Sequence, residues 1–353
     1  MKKIVGIVLI ICIQSLVFIQ GGSGVCAQDI HFSQFYMSPL TQNPALAGAV
    51  FGMEANVNYK EQWRSVSSPY KTLAASYSMG FQKKKKAKGF FAAGVNFFND
   101  KAGDSKMGTT QANISGAGHV YLNRYSKFGG GLQIGFAQRS IDYTSLTWGN
   151  QYDGKQYNPA LSNRENLPAG ASKMYPDVAA GVVYTFDNNA SFKRVADNND
   201  FKVNVGMSIF HLSRPDYSFT SDVDKLYVKF VLHGNALVSV PYTNIGFVPG
   251  FFVYKQGAPA EVYAGSLVRY VLNQRSKYTR NKSTSAVAVG AYYRAKDAAV
   301  VSFLLEHSNY AFGVSYDVNV SRLKVATVAR GGVEISLRYT ARNPFIVQSR
   351  SRF

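Results

Sequence analysis

Apolar and polar residues alternate, segment after segment, from residue 55 to residue 339, and few folds can accommodate that pattern. Successive side chains of a strand point to opposite faces, so Ala55, Val57 and Tyr59 share one face while Asn56, Asn58 and Lys60 share the other. The same alternation recurs at 73–79, 91–97, 114–122, 132–136, 178–186, 203–209, 228–238, 247–253, 262–270, 286–293, 300–304, 312–318 and 333–339. These are fourteen segments, most of them about ten residues long, the length a tilted strand needs to cross a bilayer. The segment at 247–253 is the least regular. A soluble sandwich or propeller buries the same alternating faces and is the competing architecture, but strands this uniform favour a closed antiparallel barrel with an even strand count.

The beginning of the chain sets the compartment. Met1-Lys2-Lys3 precedes an apolar run from Ile4 to Ile19, and Val25-Cys26-Ala27 offers small residues before a cut at Gln28. This reads as a signal peptide over residues 1–27; a retained membrane helix and a lipid anchor on Cys26 are the rival readings. Cys12 and Cys26 are the two cysteines, so the chain after the cut would hold no thiol, disulfide or thiolate metal site. After the signal there is no apolar run long enough for a membrane helix, and no Pro/Ser-rich linker or shift in composition divides residues 28–353.

Loop lengths and charge assign the two rims. An even strand number with short periplasmic turns predicts both chain ends on the periplasmic side and the longer loops outside. Those are 142–176, 211–225, 99–108 and 319–330, with a short helix expected over 321–330. The formal charge is +19, and much of the surplus falls on the inward turns. Lys83, Lys84, Lys85, Lys86 and Lys88, then Arg275, Lys277, Arg280 and Lys282, then Arg342, Arg350 and Arg352 lie there, opposed mainly by Asp187, Asp197 and Asp200. A basic turn is ordinarily just solvated. The functional alternative is a cationic periplasmic surface for an acidic partner, with Lys83, Lys84, Lys85, Lys86, Arg275, Lys277, Arg280 and Lys282 as its candidate residues. Nucleic acid, the usual inference from a basic chain, is disfavoured by the export signal.

One segment after the signal is not a strand. Phe32, Phe35, Tyr36 and Met37 are bulky and closely spaced, and Asn43-Pro44 starts a helical turn that Gly48 ends. Asn43 would be its N-cap and Pro44 its first helical position. It covers one end of a core or, in a barrel, plugs the lumen. Catalytic chemistry is not in view. His31, His119, His211, His233 and His307 are scattered; no His-Glu-x-x-His or Gly-x-Ser-x-Gly occurs, and Gly129-Gly130-Gly131 reads as close strand packing. The expectation is a non-enzymatic protein without cofactor or metal. A barrel hydrolase with its triad split across strands is the enzymatic alternative.

Phe32-Ser33-Gln34-Phe35-Tyr36, Asn43-Pro44-Ala45-Leu46-Ala47-Gly48 and Trp63-Arg64 followed by Pro69-Tyr70 resemble the opening of the PorP/SprF family. Gly331-Gly332-Val333-Glu334-Ile335-Ser336-Leu337-Arg338-Tyr339 is similar to its closing strand. The resemblance implies an outer-membrane component of the type IX secretion system. Its partners would be periplasmic and ring components of that system, secreted surface cargo that includes gliding adhesins in some members, and outer-membrane lipid. The expected organisation is a signal peptide at 1–27, a plug-like segment at 28–52, a barrel at 53–339 and a basic periplasmic tail at 340–353. A channel for hydrophobic small molecules of the fatty-acid type, which also combines about fourteen strands with an N-terminal plug, is the alternative function.

Overall fold

The computed structural model describes residues 29–64, 68–81, 88–144, 146–163, 170–188, 201–219, 223–273, 285–321 and 327–341. Fourteen strands form among them. They are β1 (Met53–Gln62), β2 (Tyr70–Phe81), β3 (Gly89–Ala102), β4 (Met107–Tyr121), β5 (Ser126–Asp142), β6 (Gly170–Asp187) and β7 (Phe201–Phe210). β8 (Lys229–Ser239), β9 (Ile245–Gln256), β10 (Ala260–Asn273), β11 (Ser285–Arg294), β12 (Ala298–His307), β13 (Tyr310–Asn319) and β14 (Arg330–Ala341) follow. Each expected segment coincides with one of them to within one residue. Every strand pairs antiparallel with its neighbours in sequence, and β1 closes the cylinder by pairing with both β2 and β14, Met53 standing opposite Met79 and Ala341. Closure leaves no sheet edge with unpaired backbone groups, which a strand structure in hydrocarbon requires.

The direction of burial decides between barrel and sandwich. Along β1 the residues shielded from solvent are Glu54, Asn56, Asn58 and Lys60, while Val57 and Tyr59 face out. Phe91 is 77% exposed and Ile114 69%, yet Lys60 is 2% and Glu334 1% exposed. A soluble sandwich would bury the first pair and expose the second. Here the apolar faces look outward into lipid and the polar faces inward, as in an outer-membrane barrel. Among the described residues no helix is long and apolar enough to cross a membrane, and the crossing is made by strands.

The irregularity expected near residue 250 has a backbone cause. Between β8 and β9 the ladder runs to Asn235 opposite Gly250 and resumes at Val238 opposite Phe247. Pro249 lies in that gap and has no N–H to donate.

The loops divide between two rims. One rim carries the connections after odd-numbered strands, including the two longest, 143–169 and 211–228. The other carries the connections after even-numbered strands, the start of β1 and the end of β14. The long outer loop expected over 99–108 is instead a tight hairpin. β3 and β4 stay paired to Ala102 opposite Met107, and Gly103 and Lys106 turn the chain with positive φ. Polar strand ends hold it: Thr72 donates to Asp100 at 2.5 Å and Asn99 to Thr110 at 2.6 Å. Half of the helix expected over 321–330, residues 322–326, lies outside the described residues, and β14 takes over at Arg330.

Candidate functional site

A cylinder of this strand number is wider than its own side chains can fill, and the residues before β1 occupy the space. Residues 29–52 thread the lumen from the odd-loop rim to the even-turn rim, in contact with strands all round the wall. Hence β1 begins and β14 ends at the same rim, as expected, but Asp29 lies at the opposite one. The chain ends themselves lie outside the described residues; parity of strand number places β1 and β14 but cannot register a non-strand segment that doubles back through the interior.

At the odd-loop rim the segment is held by charge. Asp29 accepts from His211 Nε2 at 2.6 Å, and Lys229 Nζ lies 3.4 Å away; His211 Nδ1 is 3.1 Å from Asp177. Burial disfavours both charged forms. Even so, the charges of His211 and Lys229 hold the Asp29 carboxyl well below its usual range, and Asp29 and Asp177 push His211 up to about 10. One step further in, burial and the neighbouring charges of Lys60, Arg294 and Lys229 keep His31 well below its ordinary value. Neutral His31 can then accept from Arg294 Nη1 at 2.8 Å.

Arg294 also pairs with Asp317, which lies 3.9 Å from Lys60 and accepts from Ser33 Oγ at 2.8 Å. Lys60 donates to the His31 carbonyl at 3.1 Å. Beside this cluster, Glu334 of β14 takes two consecutive backbone N–H groups, those of Ser33 at 2.6 Å and Gln34 at 3.0 Å. The Gln34 side chain returns to the Glu334 carbonyl at 3.2 Å, and the Tyr263 hydroxyl donates to the Ser33 carbonyl at 2.6 Å. Each buried charge therefore has a partner, without which it would cost several kcal/mol.

Midway along the lumen the contacts become aromatic. Phe35, in a single 3₁₀ turn (Phe35–Met37), lies 5.7 Å from Phe252 and meets Tyr263 and Tyr292 edge-on at 5.4 and 5.7 Å. Tyr36 stacks on Tyr292 at 5.9 Å. Phe32 is buried nearer the odd-loop rim. The helical turn expected at Asn43 is a 3₁₀ turn, Pro44–Leu46, in which Pro44 holds the first position and the Asn43 side-chain oxygen Oδ1 accepts from the Ala45 N–H at 2.8 Å. The other half of the Asn43 amide bonds the wall, donating to the Val182 carbonyl at 2.9 Å and lying 3.1 Å from His233. Gly48 follows with φ +63°, the left-handed turn that ends the segment. The glycine run in β5 serves this contact: a Cβ on Gly131 would sit 2.5 Å from the Ala45 nitrogen.

The two motifs at opposite ends of the chain thus meet in space, Glu334 gripping Ser33 and Gln34. A family model described as type IX secretion system membrane protein PorP/SprF matches residues 25–339. The chain belongs to this family. It is an outer-membrane β-barrel. No curated protein matches the chain. Among solved structures, the Ralstonia pickettii toluene transporter TbuX aligns with 92% of this chain and 97% of its own at 8% identity and a TM-score of 0.42. A Pseudomonas aeruginosa FadL homologue aligns over 84% and 92% at 9% identity and 0.39. The translocator domain of the Neisseria meningitidis autotransporter NalP aligns over 82% and 88% at 11% identity and 0.37.

Of the residues singled out in the sequence, Phe32, Phe35, Tyr36, Asn43, Pro44 and Gly48 are brought together in the lumen. Lys83, Lys84, Lys85, Lys86, Arg275, Lys277, Arg280 and Lys282 lie outside the described residues, as do Arg342, Arg350 and Arg352. The strand ends that flank them, Phe81 and Gly89, Asn273 and Ser285, and Ala341, all stand at the even-turn rim. Sequence reading missed the charged cluster of Asp29, His31, Lys60, Arg294, Asp317 and Glu334. Its available signal was charge at lumen-facing parity inside strands, which a barrel tolerates only where something inside answers it.

Proposed function

We propose that this PorP/SprF-family barrel is a non-enzymatic component of the type IX secretion system, closed by its own N-terminal segment and used as a docking body rather than as a conduit. The observation that carries the reading is the segment that crosses the lumen from rim to rim. From Asp29 to Gly52 the interior is occupied and bonded to the wall, so exported cargo would need another path. The even-turn rim faces the periplasm, since the two longest loops stand on the opposite rim. On that side the basic turns and the basic tail after Tyr339 offer long-range attraction to acidic periplasmic and ring components. The odd-loop rim faces outward, toward secreted cargo such as a gliding adhesin.

The test is affinity purification from membranes in mild detergent, with periplasmic secretion components expected to co-purify. Changing Lys83, Lys84, Lys85 and Lys86 together to Gln should reduce their recovery and flatten its salt dependence, because screening shortens from about 10 Å at 0.1 M to about 3 Å at 1 M. Heat-modifiable migration of the barrel should be unchanged. Recovery equal to the parent at low salt would remove this turn from the mechanism. Recovery of no secretion component by either protein would remove the reading. A transporter for hydrophobic small molecules is the alternative, and the continuous plug counts against it.

A further inference from the structure

The connection between β7 and β8 folds inward at the odd-loop rim. Its two arms, residues 211–219 and 223–228, pair with each other, the Leu226 N–H donating to the Pro215 carbonyl at 2.9 Å and the Tyr217 N–H to the Asp224 carbonyl at 3.0 Å. The hairpin lies against the lumen face of the β5–β6 extension. Tyr217 and Leu226 pack on Ala137 and Tyr175, whose outward neighbours Phe136 and Met174 are 61% and 66% exposed. Arg139 fixes the first arm, its guanidinium 4.6 Å from the Tyr217 ring and 5.0 Å from that of Phe219, and Lys173 meets Asp216 at 2.9 Å. The hairpin is a cap drawn into the mouth of the barrel.

Both ends of this cap are tied to the plug. His211, its first residue, donates to Asp29 at 2.6 Å, and Lys229, the first residue after it, lies 3.4 Å from the same carboxylate. His211 takes φ +59°, a backbone that a β-carbon disfavours, and Asp177 holds its ring from the other side at 3.1 Å. Asp29 in turn donates its N–H to Gln256 at 3.3 Å, and four residues on Glu334 takes the Ser33 and Gln34 N–H groups. The cap cannot swing out without leaving a shielded carboxylate short of a partner, which is costly.

We propose that the 211–228 hairpin and the entry of the plug form one two-state unit. A partner that engages the cap from beyond the odd-loop rim draws His211 and Lys229 off Asp29 and loosens residues 29–34, while the contacts farther along the lumen stay made. That such a partner is secreted cargo rests on the function proposed above; the coupling does not. Coupling between two sites is reciprocal, so loosening the plug entry loosens the cap by the same factor.

The test is hydrogen–deuterium exchange, read by mass spectrometry on the full-length protein in lipid nanodiscs. Tyr217→Ala with Phe219→Ala removes both rings from Arg139 and changes neither a partner of Asp29 nor a plug residue. Exchange should rise in the cap arms and, with them, at residues 30–34 by about fivefold or more, the lower end of coupling between sites. Residues 45–48 should exchange at the parent rate. Asp29→Asn should speed exchange of the cap arms in return, and the three substitutions together should add nothing at 30–34 beyond the larger separate effect, as for changes within one unit. Faster cap exchange with residues 30–34 unchanged would overturn the proposal. An equal rise at 30–34 and 45–48, a general loosening of the barrel, would do the same. Where the ring variant leaves the cap at the parent rate, unchanged cap exchange in Asp29→Asn overturns it.

Discussion

The two halves of the lumen treat the same threaded segment in opposite ways. Toward the odd-loop rim the polar groups of residues 29–34 meet charged and hydrogen-bonding groups of the wall, with Glu334, Asp317, Arg294 and Lys60 packed round them. Toward the even-turn rim the segment touches the wall through small residues such as Ala45 and Ala47 and leaves a chamber beside it. Ion pairs shielded from water are strong only when geometry and hydrogen bonding are satisfied together, so the first half acts as a latch that fixes register. The second half is shaped by backbone approach and keeps free volume. A plug latched at its far end can stay seated while the near end remains accessible.

The largest effect expected is on permeability. Deleting residues 30–48 removes the latch and the aromatic cluster, and should turn a closed barrel into a conducting one in planar bilayers. A folded deletion protein no leakier than the parent would show that the wall closes by itself, and the comparison between halves would lose its meaning.

Next in size is the latch alone. Asp317→Asn leaves Arg294 and Lys60 facing each other with one less counter-charge, and should destabilise the barrel by about 3–5 kcal/mol in reversible urea unfolding. A loss near zero would mean that Glu334 carries the latch without it.

The rim pair gives a pH signature. His211 is raised in the folded state from 6.5 to about 10, so its contribution is complete below pH 6.5 and declines as pH rises from there to about 10. Asp29 is lowered from 3.8, so its contribution is complete above that pH and declines as pH falls below it. Stability should therefore fall between pH 6.5 and 10, and His211→Gln should flatten that slope. An unchanged slope in the variant would assign the decline to other groups.

The smallest effects sharpen the other half. Gly131→Val forces the Pro44–Leu46 turn away from β5 and should cost about 1–3 kcal/mol by overpacking. Gly130→Ala, one residue along, points away from the plug into open space and should change stability by no more than about 0.5 kcal/mol. Equal costs would mean that the close approach to Ala45 is relieved without strain.

The alternation of Asn56, Asn58 and Lys60 with Ala55, Val57 and Tyr59 was enough to place fourteen strands, because a strand's two faces are written in adjacent residues. Asn43, Pro44 and Gly48 announced their turn for the same reason: capping and φ preference act over a few positions. Alternation by itself does not give the sense of the burial, since polar-in and apolar-in strands share one period; the uniform strands favoured a barrel, and closure round a lumen decided that Lys60 is inside and Val57 outside. The loop expected at 99–108 failed because its polar residues bond across a hairpin, which composition alone cannot distinguish from solvated coil. The grip of Glu334 on Ser33 and Gln34 spans some 300 residues of sequence and exists only after β14 has closed against β1. Local preference selected the strands and the turn; the barrel's interior width and its buried charges, both properties of the closed cylinder, decided where the N-terminal segment lies.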